Sequence, residues 1–158
     1  MRRLLPLFLL LMSCATADVA RDEGQLVNLV LDDWHRAAAE ADEARYFRHM
    51  GPEMVFLGTD ATERWDLASF RAFAHPYFAR GKAWTFTPRE RHVTFSERGD
   101  VAWFDEKLDS ASYGECRGSG VLRKIGGEWK LVHYNLTIPI PNDLAKSVVE
   151  MIRKGATR

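Results

Sequence analysis

The sequence predicts an α+β fold, with helices packed on one face of a curved antiparallel sheet. Two observations carry this. Apolar residues recur at helical spacing through the first half of the chain, interrupted by one strand-like run, Met54-Val55-Phe56-Leu57. From Trp84 to Pro139 the pattern becomes four strand-like segments joined by short turns. Strands that follow one another directly pair antiparallel, and helices grouped elsewhere in the chain cover one face of the sheet.

The first residues stand apart from this domain. Met1-Arg2-Arg3 is cationic, and Leu4 to Met12 is apolar. That run is too short for a bilayer core, which takes roughly 20 helical residues. It has the anatomy of a signal peptide. Leu11-Met12-Ser13-Cys14 has the form of a lipobox. It predicts cleavage before Cys14, lipid on the Cys14 thiol, and a membrane-anchored lipoprotein facing the periplasm. Ala15-Thr16-Ala17 offers a rival cut that would release a soluble chain. Residues 1–13 (or 1–17) are thus read as leader, 14–23 as a polar tether and 24–158 as the domain.

Within the domain, Asp22 is placed to cap a first helix whose apolar stripe is Leu26, Val30, Trp34, Ala37, Ala38 and Ala41. Asp42 caps a short second helix that Gly51-Pro52 ends. The strand Met54 to Leu57 follows, closed by Gly58-Thr59-Asp60. Asp66 caps a third helix through Leu67, Phe70, Phe73, Tyr77 and Phe78, with Pro76 expected to kink or shorten it. The four strands are Trp84 to Ser96, Val101 to Asp109, Tyr113 to Lys124 and Glu128 to Pro139. Gly126-Gly127 forms the last hairpin turn. Asp143 to Arg153 is a final helix.

Composition excludes several classes of function. The 158 residues suit one domain, and 22 basic residues balance 22 acidic ones. Without a basic stripe, nucleic acid is not an expected partner. No Cys-x-x-Cys or His-x-x-x-His spacing predicts a metal, and no glycine-rich phosphate loop predicts a nucleotide cofactor. Five Trp, nine Phe and four Tyr give a small fold a large apolar content.

Four segments carry a family resemblance. They are Gly58 to Trp65, Val101 to Glu106, Arg117 to Leu122, and Gly127-Glu128-Trp129-Lys130-Leu131-Val132-His133-Tyr134-Asn135-Leu136. Over about Gln25 to Lys154 the chain resembles the SnoaL-like group of the nuclear-transport-factor-2-like superfamily. Its last hairpin is also similar to the association domain of calcium/calmodulin-dependent protein kinase II. The resemblance implies a cone-shaped sheet, an apolar pocket between sheet and helices, and a homodimer through the convex face. It implies no one reaction, because the superfamily holds isomerases, cyclases, dehydratases and binding domains. A tyrosine in the first helix and an aspartate ending the first strand, as ketosteroid isomerase has, are missing here.

Strand alternation, aligned to that family, assigns the faces. Val132, Tyr134, Leu136 and Ile138 should face the helices, and Trp129, Leu131 and His133 the convex side. Cys116, Gly118, Gly120 and Leu122 face inward, with glycine leaving room for a close neighbour. Ala102, Phe104, Glu106 and Leu108 do so on the strand before. Glu106 is then a carboxylate among apolar residues, either a general acid or base of raised pKa or one side of an ion pair. Asp60 is a second candidate acid, against a plain turn role. The Arg89-Glu90-Arg91-His92 run reads as a solvated strand end, and Cys116 as a buried thiol.

Three functions follow. The first is a binding module, with Trp34, Phe56, Trp65, Phe104, Tyr134 and Leu136 walling a pocket and Glu106, with Asp60, orienting a small apolar or amphipathic molecule. The second is a cofactor-independent lyase or isomerase in which Glu106 takes a proton. The third is a dimerising structural domain using the convex residues.

Overall fold

The computed structural model describes residues 9–155, with side chains from Asp22 onward. The start of the leader and the Cys14 side chain lie outside the described residues. The chain forms α1 (Leu9–Ala39), α2 (Glu43–Arg48), β1 (Met50–Leu57), β2 (Arg64–Asp66), α3 (Leu67–Ala79), β3 (Thr87–Phe95), β4 (Val101–Ser110), β5 (Gly114–Ile125), β6 (Glu128–Thr137) and α4 (Ala145–Gly155).

The six strands make one sheet in the order β2-β1-β6-β5-β4-β3. All pairs are antiparallel except β1 with β6. That parallel pair is possible because one helix, α3, and four strands separate β1 from β6 in the chain. The core fills the concave side, with α1 against β3 and β6 and α3 against β1 and β2. Two of the three expected N-caps form: Asp42 accepts from Arg45 N–H at 3.0 Å, and Asp66 from Ser69 N–H at 2.8 Å. Gly126 and Gly127 both have positive φ, 61° and 86°, as a tight twisted hairpin requires.

Several elements differ from expectation. α1 begins at Leu9 rather than at an Asp22 cap. Leu, Met and Ala favour helix there, and no proline or glycine interrupts residues 7–23. Its inward stripe is Val27, Leu31, Trp34, His35 and Ala38, while Leu26 is exposed. Just past the end of α1, Ala41 adopts the left-handed region at φ 55°, and Asp42 N–H closes back on Ala37 C=O at 2.8 Å. β1 is longer than Met54 to Leu57, and β2 was not anticipated. Pro76 lies inside α3 without ending it. The carbonyl it cannot bond belongs to Ala72, an exposed residue on the helix's solvent side.

The face assignment of β6 needs one correction. Val121 pairs with His133, but Leu122 pairs with Leu131, so Val132 is the extra residue of a bulge. Tyr134 and Leu136 do face inward. Below the bulge the parity reverses, and Trp129 and Leu131 enter the core instead of the convex face. Val132 packs above Gly51, where a β-carbon would stand 3.0 Å from its methyl.

Candidate functional site

β3 and β4 bring opposite charges together by register, with Arg91 directly across from Glu106. Glu106 is only 1% exposed. Arg91 Nε donates to Glu106 Oε2 at 2.9 Å. Arg91 Nη2 lies 2.8 Å from the same oxygen but outside hydrogen-bond geometry, so that contact is ionic rather than directional. Glu106 Oε1 faces His35 Nε2 at 2.8 Å and the Tyr134 hydroxyl at 3.1 Å. An ionised carboxylate can only accept, so both groups donate to it.

α1 completes the network. Asn28, Asp32 and His35 recur at helical spacing on one side of the helix. Arg91 Nη1 reaches Asn28 Oδ1 at 3.2 Å and Asp32 Oδ1 at 2.8 Å. Burial pushes the Glu106 carboxyl up, but the His35 hydrogen bond and the charges of His35 and Arg91 outweigh it. The net position is below the ordinary carboxylate range. Burial, then the Glu106 charge, pushes the Tyr134 hydroxyl well above its ordinary value, so it keeps its proton. Glu106 is therefore a resident anion with every side occupied. Gly118 makes this possible: a β-carbon there would overlap the Tyr134 hydroxyl and stand 2.8 Å from Glu106 Oε1.

The cone is filled at this depth. Trp34 stacks on Tyr46 at 5.2 Å and meets Tyr134 edge-on at 4.7 Å. The Trp34 and Trp84 indoles approach the Tyr46 hydroxyl. Neither Trp34 Nε1 nor the Tyr46 hydroxyl reaches hydrogen-bond geometry with a partner.

Open space lies instead at the mouth of the cone. A groove of about 790 Å³ runs between β1, α3, the segment after α3 and the β4–β5 turn. Its walls include Trp65, Phe73, Tyr77, Trp84, Phe86 and Tyr113. Phe56 and Phe70 stack at 4.0 Å, and Trp65 and Phe73 at 4.5 Å. Of the seven residues expected to wall a pocket, Phe56, Trp65 and Leu136 line this groove, whereas Trp34, Phe104, Glu106 and Tyr134 do not.

Asp60 closes a turn. Its Oδ1 accepts from Thr62 N–H at 2.8 Å and from the Thr62 hydroxyl at 2.6 Å, bonds that hold its pKa below the usual value. Cys116 is a buried free thiol, and burial raises its pKa. Arg91 is not part of a solvated strand end: its side chain is 7% exposed. His35 and Arg91 were missed as Glu106's partners. The helical spacing of Asn28, Asp32 and His35 was the readable signal. Among the described residues, no group of three His, Cys, Asp or Glu side chains is placed to hold a metal ion. No helix there is long and apolar enough to cross a membrane.

A bent, open sheet wrapped around helices, with a groove at its mouth, defines a cone-shaped α+β domain. The chain belongs to the SnoaL-like domain family, whose model matches residues 27–141. No curated protein matches it. Among solved structures it is similar to an NTF2-like protein of unknown function from Pseudomonas putida KT2440 (TM-score 0.64, 14% identity, covering 78% of this chain and 91% of that one). It is also similar to a candidate dehydratase of the NTF2-like family from Streptomyces avermitilis (0.63, 13%, 74% and 96%). A third is a cystatin-like fold protein from Burkholderia xenovorans LB400 (0.62, 19%, 76% and 95%). At these identities the likeness shows the fold alone.

Proposed function

We propose that the domain is a binding module that holds a small apolar or amphipathic molecule in the aromatic groove at the cone's mouth. One observation carries this reading: aromatic rings wall an open groove of about 790 Å³. Ligand sites are concave, mostly apolar and of roughly 300–1,000 Å³. Phe73 and Tyr113 remain 37% and 50% exposed there, apolar surface that a ligand would cover. Native mass spectrometry of the full chain purified from its own host tests the reading. A small molecule bound one to one, and lost in a Phe73→Gln variant, is expected. Empty protein in the presence of host extract contradicts it.

The lyase or isomerase alternative has less support, since Glu106 lies outside the groove with its acceptors filled. A dimer through the convex face is favoured by one row across the outer sheet. Thr94, Trp103, Val121, His133 and Val55 are register neighbours, and Trp103 is 46% exposed. Sedimentation should show a dimer that Trp103→Arg dissociates; a monomeric parent protein rules it out. Anchoring through Cys14 rests on the leader sequence, and a Cys14→Ser variant should leave the membrane fraction.

A further inference from the structure

The groove is not uniformly apolar. Arg80 and Lys82 stand at the end where α3 gives way to the next segment. Among the described residues neither has a carboxylate partner. Arg89, Lys107, Arg123, Lys124 and Lys130 do have one there, whereas Arg36, Arg64, Arg71, Arg98, Arg117 and Lys146 do not; what sets Arg80 and Lys82 apart is that both line the groove. Arg80 is held against the groove wall, its guanidinium 4.4 Å from the centre of the Tyr77 ring. The lining has a single carboxylate, Glu63. One of its oxygens is engaged by Asp60 N–H at 3.1 Å, on the loop after β1.

Cations at a helix C-terminus often serve only to offset the helix dipole and its bare carbonyls. Here the backbone closes the helix by itself. Lys82 N–H reaches Tyr77 C=O at 3.3 Å, and Gly81 N–H reaches Phe78 C=O at 2.9 Å. Gly81 adopts the left-handed conformation, φ 72°, that this closure requires. The two side chains are therefore not needed as caps.

We infer that the groove's ligand is an amphipathic anion, its aromatic or alkyl body on the aromatic walls and its carboxylate, sulfonate or phosphate between Arg80 and Lys82. This rests on the groove being the binding site. An aromatic body gains from stacking, and an exposed anionic head gains from two cations with no competing internal partner.

Two probes with one scaffold separate the parts. They are 1-anilinonaphthalene-8-sulfonate and its uncharged counterpart N-phenyl-1-naphthylamine, titrated against the full chain by fluorescence. The sulfonate should bind roughly tenfold tighter at low salt, and the preference should shrink as salt rises. Arg80→Gln/Lys82→Gln should remove the preference, weakening the sulfonate roughly tenfold more than the neutral probe. Phe73→Gln should weaken both probes. Equal affinities for the two probes, or a sulfonate preference that survives the double variant, overturn the anion assignment alone. Absence of binding by either probe, or binding indifferent to Phe73→Gln, defeats the groove reading and the inference with it.

Discussion

Glu106 and Trp65 lie on the same side of the sheet, yet their surroundings are opposite. Around Glu106 both carboxylate oxygens meet donors, and the aromatic rings above it close the space. Around Trp65 the rings stack on one another and leave a groove open to solvent. The first region joins four elements, α1, β3, β4 and β6, through one carboxylate. The second leaves apolar surface uncovered. A buried charge inside a pocket-forming fold is thus no guide to where a ligand sits. Here it fastens the first helix to the sheet, and recognition is left to the rim.

The largest effect should come from breaking the closed region. Arg91→Leu leaves Glu106 buried with no fixed cation and should cost about 3–5 kcal/mol. Urea unfolding measures it, and a loss below about 1 kcal/mol would mean that the network contributes little. Glu106→Gln should cost less, about 2–3 kcal/mol, since the amide can still accept and donate.

The same variant sharpens the comparison through pH. Folding lowers the Glu106 pKa below its ordinary value of 4.5. Its stabilisation is therefore fully present above that value and is lost as pH falls through the folded-state value. The urea midpoint should fall more steeply below pH 4.5 in the parent protein than in Glu106→Gln. Parallel acid limbs would show that Glu106 is not a native-state anion.

Gly118→Ala should destabilise by about 1–3 kcal/mol, because its methyl displaces the Tyr134 hydroxyl from Glu106. An unchanged melting temperature would put that hydrogen bond in question. The smallest effect on stability belongs to the open region. Phe73→Gln should cost under about 1 kcal/mol, because the ring is already partly exposed.

Much of the fold was legible because its signals are local. The two Asp caps, the Gly126-Gly127 turn and the run of strands each follow from a few adjacent residues. What failed depended on distant contacts. Leu26 and Val27, or Val30 and Leu31, give α1 two adjacent apolar stripes, and only packing against the sheet selects Val27 and Leu31. The Val132 bulge reverses the faces of Trp129 and Leu131, and no single-strand pattern announces it. At the site, the burial of Glu106 and the room left by Gly118 were readable from alternation. The pairing with Arg91 was hidden because Arg91 sits in a charged run that looks solvated. Asp60 and Cys116 match their plain readings, a turn and a buried thiol. The groove was half legible: Phe56, Trp65 and Leu136 line it, but alternation cannot tell that Trp34 and Tyr46 plug the depth beneath.

The most direct test of the division between closed network and open groove is the affinity of one hydrophobic probe, N-phenyl-1-naphthylamine, for folded Glu106→Gln and folded Phe73→Gln. Affinity should be nearly unchanged in Glu106→Gln and fall roughly tenfold in Phe73→Gln, the loss of a stacked ring from the wall. The reverse pattern, binding lost with Glu106 and kept without Phe73, would place recognition inside the cone and contradict the account.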